Sequence, residues 1–318
     1  MPTTTPSRTS FTAFAVIASL EKLALMPRFA PEMEPDWQRL NALLLDGATD
    51  SRLRRAVRRL SPGPAQWLLD RLFVPGMMRH YLLRKLFIRR EVERAIAEGA
   101  TQVVVLGGGF DTLAWRLATA NPAVQFLELD LPSTQATKRA LLEGAGLPPA
   151  NCQFFPADLA SATLGDTLRS APGFDASART IVVIEGVLMY LRAPAVEALF
   201  GALGSVLPTQ HSVVFGATVA SDDAGALPLR MVNALLRRGH EGTAWHCPSR
   251  DIPAFLHALG YRLDAWLPYQ TLQADFVDEA TLAKLPAEDE NYYRAVRASR
   301  VDEEAAPGID SIPFAKLS

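Results

Sequence analysis

Five residues of this chain, two glycines and three acids, stand just past short apolar runs, where a folded backbone could grip a polar ligand. Gly107 and Gly109 belong to VVVLGGGFDTLAWRL, in which the aliphatic run Val103–Leu106 stops at three glycines and leucines then recur four apart at Leu113 and Leu117. A buried strand passing through a glycine turn into a helix presents backbone N–H groups and a positive helix end to whatever lies in the crevice. Glycines keep side chains out of the way of a ligand that must approach closely. Asp130 closes the next apolar run, FLELD, about twenty residues later. An acid at that place suits the hydroxyls of a ribose, so glycines and acid together point to an adenosine-bearing cofactor. Dinucleotide and adenosylmethionine sites both use this device. The turn reads Gly107-x-Gly109-x-x-Thr112 and so lacks the third glycine of the dinucleotide fingerprint.

Two further acids follow. Asp158, in FPADLA, lies past a third apolar run and is placed either to accept from an adenine amino group, with Leu159 against the ring, or to cap a following helix. Glu185 ends the strongly apolar TIVVIE. A carboxylate there is costly unless it is paired. Its partner is either a ligand cation, such as the ammonium of a methionine moiety, or an internal salt bridge. The first reading is favoured because strand carboxyl ends form the ligand edge of an open α/β sheet.

The elements that position these residues can be read from the spacing of apolar positions. Short runs at Val103–Leu106, Gln125–Leu129, Gln153–Pro156, Thr180–Ile184 and Ser212–Ala217 predict strands. Helical spacing over Thr112–Ala120, Ser133–Ala145 and Ala193–Leu207 separates most of them. That alternation implies a parallel sheet covered on both faces. A helix over Arg250–Leu259, a strand over Tyr261–Pro268 and a weaker strand over Tyr292–Ala298, interrupted by two arginines, complete the pattern. Before residue 100 the text is helical, including Arg52–Leu60 and Met78–Glu98. We therefore expect an α/β fold with a helical N-terminal cap over 1–99 in the same globular unit, a cofactor-binding core over 100–318, and a lid near 218–249.

Composition narrows the function classes. The 318 residues are 49% hydrophobic and 21% charged, with a formal charge of −2, which argues against bulk binding to nucleic acid or anionic membrane. Residues 1–100 carry 16 Lys/Arg against 10 Asp/Glu, a surplus expected on solvated helix faces. Two cysteines, Cys152 and Cys247, exclude a disulfide framework and fit a reducing, cytoplasmic setting. Residues 1–10 are rich in Thr, Ser and Pro and are expected to be disordered. The apolar run Phe11–Leu20 is broken by Glu21 and Lys22, too short to span a bilayer, and without a convincing cleavage site. It reads as a packing helix capped by Thr9 or Ser10. His240, Trp245, His246 and Cys247 cluster in GHEGTAWHCPS, but not at the spacing a metal requires.

Taken together, VVVLGGGFDTLAWRL, FLELDLPSTQATKRALL, ADLA and IEGVLMYL resemble the leucine carboxyl methyltransferase family of class I S-adenosylmethionine-dependent enzymes, which includes bacterial O-methyltransferases of secondary metabolism. The resemblance is strongest over residues 80–200. It implies a Rossmann-like, mostly parallel seven-stranded sheet flanked by helices, with the C-terminal run supplying an antiparallel strand. It implies S-adenosyl-L-methionine as cofactor, with Gly107 and Gly109 along its methionine portion, Asp130 at the ribose, Asp158 and Leu159 at the adenine, and Glu185 near the reacting methyl. It also implies an arginine on the helix before the first strand for the cofactor carboxylate. Arg84 is the matching position, with Arg89 and Arg90 as neighbours. The family's usual LGAG turn reads LGGG here; Gly108 replaces alanine at an expected cost in backbone entropy alone.

The expected reaction is methyl transfer to an oxygen of a small-molecule acceptor. Tyr190, His240 and His246 are the candidates to face that acceptor. A protein C-terminal carboxylate as acceptor, a nicotinamide-dependent oxidoreductase, and a non-catalytic binding protein are the alternatives. The oxidoreductase is disfavoured by the missing glycine and by the lack of a Tyr-x-x-x-Lys pair.

Overall fold

A computed structural model describes residues 11–26, 29–47, 77–146, 148–208, 211–218, 244–248, 251–268 and 293–301. Helices α1 (Phe11–Ala24), α2 (Pro35–Gly47) and α3 (Met77–Ala97) lead into β1 (Gln102–Leu106) and α4 (Leu113–Ala120). Next come β2 (Gln125–Asp130), α5 (Pro132–Leu142), β3 (Cys152–Pro156), α6 (Leu164–Ser170), β4 (Thr180–Ile184) and α7 (Ala193–Val206). The chain then forms β5 (Ser212–Thr218), α8 (Ile252–Ala258), β6 (Tyr261–Pro268) and β7 (Tyr293–Arg300). Arg52–Leu60, the caps Thr9 and Ser10, His240 and most of 218–249 lie outside the described residues.

The strands form one seven-stranded sheet in the order β3-β2-β1-β4-β5-β7-β6. All neighbouring pairs are parallel except those of β7, which runs antiparallel to both β5 and β6. Strand order reverses between β1 and β4, and such a reversal opens a crevice at the carboxyl ends of the two strands. Leu106 and Ile184 are register partners there, so the glycine turn and Glu185 emerge side by side.

Alternation along the central strands explains why both faces are covered. Val103 and Val105 of β1, with Ile181 and Val183 of β4, pack against Phe14, Ile17, Leu40, Leu44 and Phe87 of the first three helices. Val104, Leu106, Val182 and Ile184 point the other way, into Leu164, Leu168, Val196, Leu199 and Phe200. Successive strand side chains alternate sides, so an unbroken aliphatic run is what a doubly covered strand requires.

Boundaries shift for local reasons. Helix α1 continues past Leu20 through Glu21 and Lys22, because Leu23 keeps the buried stripe going and the Lys22 stem is itself buried. The expected helix Ser133–Ala145 begins at Pro132, whose fixed φ suits a first turn, and tightens to a 3₁₀ turn over Glu143–Ala145. Helix α8 starts at Ile252 rather than Arg250, and α4 at Leu113. The arginine-interrupted C-terminal strand forms as β7, two residues longer than expected at its end. Arg297 is tolerated within it because its guanidinium reaches Glu91 on α3 (3.3 Å) and Asp264 on β6 (4.0 Å). Glu34, ahead of α2, holds α3 from its other side through Arg89 and reaches Arg116 of α4 at 2.9 Å. Arg116 also lies over the Trp37 ring at 4.3 Å. Cap, last strand and helix α3 are thus tied by charge.

Strand β2 carries a feature not expected from the spacing of residues. Glu128, 1% exposed, pairs with equally buried Lys138 of α5 at 2.6 Å. Its carboxyl fills the space beneath the glycine turn: a Cβ on Gly108 would sit 2.4 Å from the Glu128 Cδ. A side chain at position 108 would therefore require the buried Glu128 carboxyl to move. Burial pushes the Glu128 carboxyl up to about 7, against the pull of Lys138.

A carboxyl raised in the folded state binds its proton there between roughly pH 4.5 and 7, where the unfolded chain has released it. Its contribution to stability is present below that window and is lost as pH rises through it, by up to about 3 kcal/mol. Glu128→Gln is expected to flatten the fall in stability across this window, whatever its absolute stability. Denaturant melts of both proteins from pH 4.5 to 8 check this; parallel profiles refute it.

Candidate active site at the carboxyl edge of the sheet

Each end of the site is held by backbone geometry. Gly107 (φ +71°) donates its N–H to the Leu129 carbonyl at 2.7 Å, and a Cβ there would lie 2.1 Å from Val187. Gly109 also takes a left-handed conformation (φ +51°) that L side chains rarely adopt. Unlike Gly107, it is not crowded: an added Cβ would meet Ala13 Cβ at 4.0 Å, an ordinary contact. The turn is latched to β2 by Asp130, whose Oδ2 accepts the Gly109 N–H at 2.6 Å while Oδ1 accepts the Leu131 N–H at 2.6 Å. An ionised carboxylate offers about four lone-pair sites, so these two bonds leave capacity for hydroxyl donors.

Asp158 is exposed and accepts the Ala160 N–H at 2.9 Å, bracing a turn. It does not cap a helix: α6 begins six residues later with Thr163 at its cap position. Leu159 is buried in the core cluster and approaches the turn, 3.4 Å from a Cβ placed on Gly107.

The charged centre of the site lies across the strand reversal. Arg84 Nε donates to Glu185 Oε1 at 2.7 Å, both side chains being about nine-tenths buried. Of the three arginines considered on that helix, this is the one the fold brings to the ligand edge. Arg89 is taken up by Glu34 and Arg90 by Glu91. Glu185 thus has an internal salt bridge, the less favoured of the two partners expected from sequence. Lys85, not singled out from sequence, lies 3.2 Å from Glu185 Oε1 and 2.7 Å from Asp111 Oδ2. The other Asp111 oxygen accepts the N–H groups of Thr112 (2.6 Å) and Leu113 (3.1 Å) at the start of α4. Burial alone would raise the Asp111 carboxyl, yet Lys85 and Arg116 hold it well below the ordinary carboxylate range. The signal available in sequence was the adjacency of Lys85 to Arg84 and of Asp111 to the glycines.

Around Arg84 the side chains are aromatic. Its guanidinium lies 5.4 Å from the Tyr81 ring centroid, and His80 stands 6.0 Å from the same ring. Burial, reinforced by Arg84, pushes the His80 imidazole down to about 3, so it is neutral at physiological pH. Burial raises the Tyr81 phenol; Arg84 opposes that and Tyr190 adds to it, which places Tyr190 within electrostatic reach. Tyr190 ends the 3₁₀ turn Leu188–Tyr190, and the Met189 carbonyl accepts N–H groups from Ala244 (2.7 Å) and Trp245 (3.2 Å). That brings the exposed His246 to a segment docked beside Tyr190. His240 lies outside the described residues. Among the described residues, no group of three or more His, Cys, Asp or Glu side chains could hold a metal ion, and no helix is long and apolar enough to cross a membrane.

Solved structures share this architecture. A crystal structure from Thermobifida fusca, described as that of a methyltransferase, superposes with a TM-score of 0.58 at 19% identity, covering 83% of this chain and 94% of the other. A Streptomyces avermitilis protein superposes with a TM-score of 0.59 at 13% identity, over 82% and 97% of the two chains. At such identities the likeness establishes the fold, the Rossmann-like sheet of class I methyltransferases. Closer in sequence is a protein of Mycolicibacterium smegmatis named for S-adenosyl-L-methionine-dependent methyl transfer, 36% identical over 138 residues. That alignment covers 43% of this chain and 43% of the relative. A Mycobacterium tuberculosis protein of like name is 36% identical over 136 residues, or 42% and 44% of the two chains. The chain thus aligns with less than half the length of these relatives. A sequence model of the leucine carboxyl methyltransferases matches residues 41–204. With that match spanning just over half of its length, and Arg84, the glycine turn, Asp130, Asp158 and Glu185 all inside it, the chain belongs to the leucine carboxyl methyltransferase family.

Proposed function

We propose that this protein is an S-adenosylmethionine-dependent methyltransferase acting on an oxygen of a small-molecule acceptor, most economically a carboxylate. The observation that carries the reading is the buried Arg84–Glu185 pair at the strand reversal. An α-amino acid end carries one carboxylate and one ammonium. It can insert between a guanidinium and a carboxylate and leave every charge paired. Arg84 would take the carboxylate in its planar fork, and Glu185 the ammonium. Gly109, open on one side, lets the backbone approach the ligand closely. Asp130 sits one strand over, where ribose hydroxyls would lie, with Asp158 and Leu159 beyond it for the adenine. The names of the mycobacterial relatives support the same cofactor.

When bound, the cofactor supplies an electrophilic methyl on a sulfonium: a carbon–oxygen bond to the acceptor forms as the carbon–sulfur bond breaks and its electron pair stays on sulfur. The protein's work is then alignment and exclusion of water. The groups near Arg84 bear on the acceptor. His80 is held neutral and is too weak a base to deprotonate a phenol, and Tyr81 keeps its proton. A carboxylic acid, with a reference pKa near 4, arrives already ionised and needs no base. Tyr190 and His246 are the residues we propose to contact the acceptor.

Titration calorimetry with S-adenosylmethionine and S-adenosylhomocysteine tests the cofactor; absence of binding at millimolar ligand would overturn the reading. Arg84→Ala and Asp130→Ala are expected to weaken S-adenosylhomocysteine binding by roughly 10- to 100-fold each, the scale of one lost charge-assisted contact. Unchanged affinity in either variant removes that residue's role. A labelled-methyl assay should show turnover of carboxylic acids at a rate nearly flat from pH 6 to 9. Turnover of phenols alone, rising with pH, would replace the carboxylate acceptor with a hydroxyl.

A further inference from the structure

Two cations from consecutive residues share the Glu185 carboxylate, and Lys85 is also held by a second carboxylate, that of Asp111. Lys85 Nζ sits 2.7 Å from Asp111 Oδ2 and within 3.4 Å of both Glu185 oxygens. It is 6% exposed, and Asp111 is fixed in turn by the Thr112 and Leu113 N–H groups. The ammonium therefore bridges the turn after β1 and the residue after β4, the two segments that flank the crevice. A lysine suits this position, since a point charge with three rotatable donors can serve two carboxylates at once.

This arrangement bears on what happens when a ligand carboxylate draws Arg84 away. Glu185, about nine-tenths buried, would then depend on the ligand alone for compensation, and an uncompensated buried carboxylate is strongly destabilising. We infer that Lys85 is a positioning residue: it stays on Glu185 when Arg84 turns to the ligand, keeping that carboxylate ionised and aimed at the ligand's ammonium. Repulsion between the two ammonium groups is limited because Asp111 already neutralises Lys85. The inference rests on the cofactor reading above, and it concerns the amino-acid end of the ligand only. The adenosine end is held by β2 and the turn after β3, which Lys85 does not touch.

The ligand pair S-adenosylhomocysteine and 5′-methylthioadenosine separates the two ends, since the second keeps the nucleoside and thioether but lacks the amino-acid tail. Calorimetry, with displacement of S-adenosylhomocysteine for the weaker ligand, is run on wild type, Lys85→Met and Lys85→Arg, each checked for folding by thermal melting. Lys85→Met should lose about tenfold or more in affinity for S-adenosylhomocysteine, with methylthioadenosine affinity held within about twofold. Lys85→Arg should recover much of the loss, as it restores the charge. Equal losses for both ligands would mark Lys85 as merely structural and overturn the inference; so would undiminished S-adenosylhomocysteine binding. If Lys85→Met does not fold, Lys85→Gln carries the same comparison. Failure of wild type to bind either ligand overturns the cofactor reading itself, whereas wild-type binding with an indifferent Lys85 variant overturns this inference alone.

Discussion

The carboxyl edge of this sheet depends on charge compensation in a nearly dry place. Two strands end together at the reversal of strand order, and the residues that follow them bring Asp111 and Glu185 close to each other. Two buried carboxylates cannot share such a space unless cations accompany them. Helix α3 delivers both cations from adjacent positions, Arg84 and Lys85. The glycines, the start of α4 and the approach of β4 are all arranged around that neutral quartet. On the proposed reading, a zwitterion entering it would change which charges face each other without changing their sum.

The neighbouring strand applies the same physics differently. Glu128 and Lys138 form a fully buried pair that faces no ligand. It acts as a floor: the carboxyl occupies the volume a side chain at position 108 would need, so a larger residue there would have to displace it. Two residues on, Asp130 latches the next glycine through its N–H. The turn is thus fixed from below by shape and from the side by a hydrogen bond, and close approach of a ligand does not rely on a loose loop.

Much of this was legible in the residues. Apolar runs located the strands because a sheet covered on both faces needs uninterrupted aliphatic sequence, and Asp130 and Glu185 fell at the carboxyl ends of β2 and β4. What escaped was of one kind. Lys85 sits in a helix with five basic residues from Arg84 to Arg94, and nothing in spacing alone separates a cation that turns inward from those that meet Glu34, Glu91 or Glu98. Glu128 lay inside a recognised motif, FLELDLPSTQATKRALL, but its burial depends on Lys138 reaching back from α5. The pairing of Glu185 with Arg84 joins residues 101 positions apart, a relation that strand order sets and local sequence does not encode. Ends of helices moved by a turn or less, as they do wherever tertiary packing outweighs propensity.

Helix α3 is clamped from two distant parts of the chain, by Glu34 near the beginning and, through Glu91, by Arg297 on the last strand. The second clamp spans 206 positions. A fragment cut to the stretch that bears every recognisable signature, roughly residues 80–200, would keep Arg84, Lys85, the glycine turn, Asp130 and Glu185 yet lack both braces that seat the helix carrying the first two. The minimal recognisable sequence and the minimal working body of this protein are therefore different objects, and modular transplantation of the signature region would carry its letters without its alignment.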